Sequence, residues 1–283
     1  ETKILDGGMG QELLAKGLIS KGTLWSASAL LEEKFHQLLI DVHISFIKAG
    51  ADVIVTNNFS SKKIRLIENK VEEKFEYINK KACELANKAR EISKENILIA
   101  GSLPPQNGTY VVDERDINII KKDFKEQAEI IKPNVDFFYL DVISSAKEIE
   151  AACEVTEKMN MPVLVGLHLK KNGKVASGES ITEIVKKYRS NNWIGLVGAC
   201  VSLEIIEKSS NEMSNLNIPF GFKANLWKVE EPLPVNKFNT AKFNEVGKNP
   251  NDTLGRREDI TNEVFYNFAK SIKEKGANIL GGC

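Results

Sequence analysis

Residues 277–283, Ala-Asn-Ile-Leu-Gly-Gly-Cys, read as a short apolar strand that breaks into two glycines and delivers a cysteine. Gly281 and Gly282 free the backbone to turn sharply beside Cys283, a setting that suits a metal ligand better than packing. A second cysteine stands in the same context far upstream. In Trp-Ile-Gly-Leu-Val-Gly-Ala-Cys-Val-Ser, residues 193–202, Cys200 ends another apolar run. Two strand-end thiols so distant in sequence meet only where their strands converge on one rim, and that requirement selects the architecture.

Working outward from this pair, eight short apolar segments, often β-branched, recur along the chain: Lys3–Leu5, Ala51–Thr56, Ile97–Gly101, Val135–Leu140, Pro162–Leu167, Trp193–Gly198, Pro219–Lys223 and Ala277–Leu280. Between them lie stretches with helical periodicity. Leu31, Phe35, Leu38, Leu39, Val42 and Phe46 form one apolar stripe, with Glu32, Glu33, Lys34 and Gln37 opposite. Glu72–Ile92, Ile117–Ile131, Ala146–Met159, Ser180–Tyr188, Leu203–Leu216 and Thr261–Lys275 behave likewise. Strand and helix alternating in this way predict a parallel sheet, and right-handed crossovers close eight such units into a (β/α)8 TIM barrel of α/β class. A doubly wound open sheet is the alternative. The 283 residues suit one barrel, read as a single domain over 1–283, and Asn236–Asp259 reads as a long loop after strand seven.

Lys+Arg and Asp+Glu balance at 39 each, which leaves no basic field for nucleic acid or an anionic membrane. No apolar run approaches the roughly 18 residues that span a bilayer, and the N-terminal Glu-Thr-Lys-Ile-Leu-Asp-Gly-Gly lacks a signal-peptide core. Four cysteines without disulfide-scaffold clustering fit a reducing compartment, so the expectation is a cytoplasmic protein, a monomer or small homo-oligomer.

A parallel barrel carries its chemistry at the C-terminal ends of its strands. Those ends read Asp6-Gly7-Gly8 after strand one, Thr56-Asn57-Asn58-Phe59 after two, Asp141 after four, His168 after five, Cys200 after six, Asn225 after seven and Cys283 after eight. DGGMG lacks the third glycine of a dinucleotide fingerprint, because Leu13 fills that place. Two readings remain for it. Its glycines serve a turn, or Asp6 meets a ligand ammonium while the glycine N–H groups meet a carboxylate. Cys83 and Cys153 fall inside helical patterns and read as inert core. His168 reads as a pocket or packing residue, and Trp25, Phe59, Tyr139 and Trp227 as candidates to line a pocket.

The ordered elements ILDGGMGQEL, LWSASALL, AGADVIVTNNF, AGSLPP, VDFFYLD, SGES, VGACVS, ANLW and GGC span nearly the whole chain, and together they resemble the homocysteine S-methyltransferase family. The resemblance implies a zinc-dependent barrel in which Cys200 and Cys283 are zinc thiolates. It places Asp6, Gly7 and Gly8 in the homocysteine site and Asp141 at the substrate amine. Thr56, Asn225, Trp25, Phe59 and Tyr139 join the substrate-binding set. Three departures stand out. The family pattern follows the cysteine matching Cys283 with another, the third zinc ligand. Asp141 stands where a glutamate is common, and Ala199 where asparagine is usual.

The implied reaction moves a methyl group from a cationic donor to the homocysteine thiol, giving methionine. The donor is a sulfonium or quaternary ammonium: S-methylmethionine, S-adenosylmethionine, dimethylsulfoniopropionate or betaine. Val142 occupies the place of a tyrosine typical of the betaine-using branch, which leans the reading towards a sulfonium. The alternative is a non-catalytic barrel that has lost a zinc ligand and binds an amino acid or donor without turnover. A zinc hydrolase using His168 and Asp141 is a third reading, disfavoured because thiolate-rich zinc is a mild Lewis acid.

Overall fold

All eight apolar segments are strands in the computed structural model, which describes residues 1–283. They are β1 Lys3–Ile4, β2 Val53–Val55, β3 Leu98–Leu103, β4 Phe137–Ile143, β5 Val163–Leu167, β6 Trp193–Val201, β7 Phe220–Ala224 and β8 Ile279–Gly282. Every neighbouring pair from β2 through β8 is parallel, and β8 also pairs with β1. The remaining seam, β1 to β2, is thin. It holds one bridge, Leu5 to Val53, with Asp6 N donating to Val53 O at 2.9 Å and Asp52 N to Ile4 O at 2.8 Å. That seam closes a (β/α)8 TIM barrel.

Strand side chains alternate faces, which divides the core in two. Phe137, Tyr139, Leu164, Val197 and Ile279 fill the barrel interior with Leu5, Val53 and Val55. Phe138, Leu140, Val163, Val165, Leu196 and Phe222 face outward onto the helical ring. The expected helices form that ring as His36–Lys48, Phe75–Ser93, Ile117–Ile131, Ala146–Lys158, Ile181–Tyr188, Leu203–Met213 and Asn262–Glu274. Ser180 and Glu183 complete a reciprocal capping box at the start of one of them, satisfying donors a helix N-terminus leaves unpaired.

Two expectations need correction. Residues 236–259 are not a plain loop, since helical turns at Val235–Phe238 and Pro250–Leu254 interrupt the connection. It folds back over the barrel mouth, where Gly22 N donates to Glu245 O and Gly247 N to Ser20 O. Strands β4 and β6 also run further than their apolar runs suggest. Asp141 and Cys200 lie within the strands, each beside a register shift, between Leu140 and Ile143 in β4 and between Ala199 and Val201 in β6.

Candidate active site

Both register shifts coincide with left-handed backbone. Val142 has φ +67° and Cys200 φ +54°, whereas Gly281 and Gly282 have no such conformation. A β-branched residue at positive φ is strained, and such strain concentrates where side chains are being re-aimed. The sharp turn at the thiol pair therefore comes from Cys200 itself. The glycines serve close approach. A methylene on Gly281 would sit 2.8 Å from Leu5 Cβ, and one on Gly8 would sit 3.0 Å from the Cys283 carbonyl. Gly10 leaves space for the Trp25 indole, which any side chain there would strike. DGGMG is thus a packing motif against β8 and Trp25, and none of its glycines takes a positive φ.

The two thiols meet. Cys283 Sγ donates to Cys200 Sγ across 2.8 Å, and both cysteines are free. That hydrogen bond and burial hold the Cys283 thiol well above its ordinary range. The backbone of each is pinned: Asn225 Nδ2 donates to Cys200 O at 2.7 Å, and Cys283 N donates to Ala224 O at 2.8 Å. Asn225 therefore acts through its side chain on the β6 bulge. Tyr110, in the loop after β3, brings its hydroxyl to 3.4 Å from Cys200 Sγ. Its ring packs against His168, with centroids 4.5 Å apart, and lies edge-on to Trp227 at 6.3 Å. His168 is buried, its Nδ1 3.3 Å from Ala199 O, and burial pulls it down to about 4. It is a neutral packing residue behind Tyr110.

Across the mouth stand the two acids. Asp6 is buried and already engaged: Lys223 Nζ donates to its Oδ1 at 2.6 Å and Val55 N to its Oδ2 at 2.8 Å. Burial alone would lower the Lys223 pKa, yet the adjoining Asp6 carboxylate carries it above the ordinary lysine value. Asp141 accepts from Ser102 Oγ at 2.8 Å; burial pushes it up to about 6 against the opposing pull of Lys223 and Ser102. Thr56 is tied into the same wall, donating to Asn58 Oδ1 at 2.6 Å and accepting from Ser102 N at 3.0 Å.

These groups share one cavity of about 690 Å³, bordered by Asp6, Gly7, Gly8, Thr56, Asp141, Cys200, Asn225 and Cys283 and by the aromatic rings of Trp25, Phe59, Tyr110 and Trp227. Tyr139 is not on that border. It fills the barrel interior, where Gly166 leaves room for its ring. Sequence reading missed Tyr110, Lys62 and the Lys223–Asp6 pair as members of the site. Tyr110 sits on an irregular loop with no periodic signal, while the position of Lys223 at a strand-seven tip was itself a readable cue.

The sulfur pair has the donor chemistry of a zinc site, which takes soft thiolates in sets of three protein ligands when catalytic. Cys200 and Cys283 supply two, and no third His, Cys, Asp or Glu joins them in a metal-holding group.

The sequence matches the homocysteine S-methyltransferase family over residues 3–283. The chain belongs to this family. It is 28% identical over its full length to the S-methylmethionine–homocysteine S-methyltransferase BHMT2 of Pongo abelii, of which it covers 74%. It is 23% identical to homocysteine S-methyltransferase 1 of Arabidopsis thaliana over 99% of its length and 88% of that protein. Among solved structures, the metallated homocysteine methyltransferase MmuM of Escherichia coli superposes with a TM-score of 0.78 at 20% identity, over 100% of this chain and 91% of that one. That likeness is one of fold.

Proposed function

We propose that the barrel, acting as one domain over residues 1–283, transfers a methyl group from a cationic donor to the thiol of homocysteine, giving methionine. The observation that carries the reading is the meeting of Cys200 and Cys283 at 2.8 Å on the rim of a cavity that also holds two acids and several aromatic faces. Family membership over the whole chain supports it.

Cys200 and Cys283 fit zinc as two of its protein ligands. When bound, the metal makes the substrate sulfur a thiolate at neutral pH while leaving it nucleophilic. The rest falls to the chain. Asp141, steadied by Ser102, receives the substrate ammonium, and Asp6 adds negative charge beyond Lys223. The N–H groups of Gly7 and Gly8 meet the substrate carboxylate. Trp25, Phe59 and Trp227 offer ring faces to the cationic donor, each worth about 0.5–2 kcal/mol. A thiolate and a cation become two neutral molecules during transfer, so a site that excludes water favours the change. S-Methylmethionine, the donor named for the Pongo abelii relative, is the first donor to test.

A donor panel with homocysteine tests the proposal, reading methionine with and without a zinc chelator. Methionine formation abolished by the chelator and restored by zinc is expected; formation indifferent to the chelator sinks the metal assignment. The alternative reading is a barrel that binds an amino acid or a methyl donor without turnover. Absence of retained zinc together with absence of methionine from every donor would select it.

A further inference from the structure

The Cys200 sulfur has two hydrogen-bonding neighbours, Cys283 Sγ at 2.8 Å and the Tyr110 hydroxyl at 3.4 Å. The phenol is held there by its surroundings. Tyr110 takes φ +67°, a left-handed backbone that is costly for a residue with a side chain and persists only where the structure around it enforces it. The connection that carries it, between β3 and the helix Ile117–Ile131, is tied down on both sides. Before Tyr110, Lys62 Nζ donates to Pro105 O at 2.6 Å and Gln106 Nε2 to Gln127 Oε1 at 2.8 Å. After it, the Arg115 guanidinium bridges Asp113 at 2.7 Å and Asp123 at 2.8 Å. The ring itself lies against His168 and edge-on to Trp227. A strained, anchored loop therefore presents one hydroxyl to one sulfur.

With zinc bound, both cysteines ligate as thiolates, and the proton that Cys283 shares with Cys200 is gone. A phenol keeps its proton at neutral pH, so Tyr110 is then the one remaining hydrogen-bond donor to the Cys200 sulfur. That sulfur borders the same cavity as Trp227, one of the rings proposed for the cationic donor. A thiolate beside a methyl donor is itself a nucleophile. Attack by Cys200 would form a bond from its sulfur to the methyl carbon and break the sulfonium carbon–sulfur bond. The bonding pair would stay on the departing sulfur, and the cysteine would become a neutral thioether. We infer that Tyr110 is a positioning residue that decides which sulfur is methylated. By donating to Cys200 Sγ it engages an electron pair with which this cysteine would take the methyl group, and transfer goes to the substrate thiol instead. Hydrogen bonds from outside the ligand shell tune metal-bound groups in this way, and those made to a charged atom are among the strong ones. The inference rests on the methyl-transfer reading and deepens it.

The test uses the zinc-loaded full chain, its zinc content measured first, without homocysteine, so that an alkylating agent meets only the protein's own sulfur. Wild type and Tyr110→Phe are treated in parallel with iodoacetamide, a neutral probe, and with S-methylmethionine. Modification of Cys200 and of Cys283 is followed by peptide mass spectrometry. Tyr110→Phe keeps the ring against His168 and drops only the hydroxyl. It should speed alkylation of Cys200 by about tenfold, the size of one hydrogen bond to a charged group, and leave that of Cys283 within about twofold. With S-methylmethionine the variant should gain a methyl group on Cys200 about tenfold faster than wild type. Equal rises at both cysteines would reduce Tyr110 to packing and overturn the inference. So would faster alkylation with no methylation of Cys200. An unchanged Cys200 rate in a zinc-loaded variant would overturn it too, and would leave the transfer reading intact. A chain that takes up no zinc would defeat the transfer reading, and the inference with it. Should Tyr110→Phe fail to fold, Tyr110→Leu removes the same hydroxyl and is judged by the same ratio of Cys200 to Cys283.

Discussion

The two halves of the barrel mouth are built differently. Along β2, β3 and β4 many buried polar groups are hydrogen bonded to one another, although the hydroxyls of Ser61, Thr109 and Tyr139 have no partner. Thr56 reaches Asn58, Asn58 reaches Asn79 at 3.0 Å and Ser102 O at 3.0 Å, Gln127 joins Asn79 at 3.0 Å, and Gln106 joins Gln127 at 2.8 Å, while Ser102 ends the chain on Asp141. Along β6 and β8 the buried Cys200 thiol meets that of Cys283 and lies beside one phenol, and Cys200 itself takes a left-handed backbone conformation. The first half is mostly committed to internal hydrogen bonds, whereas the second holds the two sulfur atoms that the proposed function employs. Buried networks fix a unique arrangement when all members are satisfied, whereas soft, loosely committed sulfur is free to take a metal.

The largest break comes from the sulfur-bearing half. Cys200→Ala is expected to lower methionine formation by about 10³-fold or more, some 4 kcal/mol in transition-state terms, and to abolish zinc retention. Circular dichroism and the unfolding midpoint should stay close to wild type, since one small buried side chain is exchanged for another. Unchanged turnover in this variant would remove the thiol pair from the chemistry.

Next is the bond that ties the halves together. Lys223→Met leaves Asp6 as an unpaired carboxylate in the barrel, and urea unfolding should show a loss of about 3–5 kcal/mol. A loss below 1 kcal/mol would mean that Val55 N and water suffice for Asp6.

The hydrogen-bonded half should answer more weakly and through positioning. Asn79→Ala orphans partners on Asn58 and Gln127; a cost of about 1–3 kcal/mol is expected, with the homocysteine KM rising more than kcat falls. Glu148 is a charged exception in this half: it accepts from Ser145 Oγ at 2.6 Å while its other oxygen has no partner. Burial pushes it up to about 7 from an ordinary 4.5. Between those values the folded state holds more protons than the unfolded one. Its stabilising contribution is therefore complete below about pH 4.5 and lost as pH rises through about 7. Lys62 works on the other limb: its folded value near 7 lies below the ordinary 10.5, so stability rises again from about pH 7 to 10. Urea melts across pH 5, 7 and 9 should show the minimum, and Glu148→Gln should flatten the acid limb by about 1–2 kcal/mol. An unaltered acid limb would place the titration elsewhere.

The barrel was legible because the eight strands are apolar runs separated by amphipathic helices, and that pattern depends on burial alone. The convergence of Cys200 and Cys283 followed from topology, since parallel strands of a barrel share one rim. What escaped reading depends on bulges and irregular loops. No periodicity signals that Val142 and Cys200 turn left-handed, so β4 and β6 seemed to stop short of Asp141 and Cys200. Tyr110 reaches the sulfur from an aperiodic loop, and Lys62 reads as one of two adjacent surface lysines until the fold buries it. Tyr139 lies off the cavity border because a strand residue two positions before Asp141 sits deeper in the barrel, where Gly166 leaves room for its ring.

One carboxylate has a double duty at the seam between β1 and β2. Asp6 fastens the first stave to the second through Val55 N, and it is also anchored to the seventh through Lys223. The narrowest join in the cylinder is thereby clasped by a residue that borders the cavity. Any substitution tried at this position for a new specificity would first have to be tolerated as a repair to the wall.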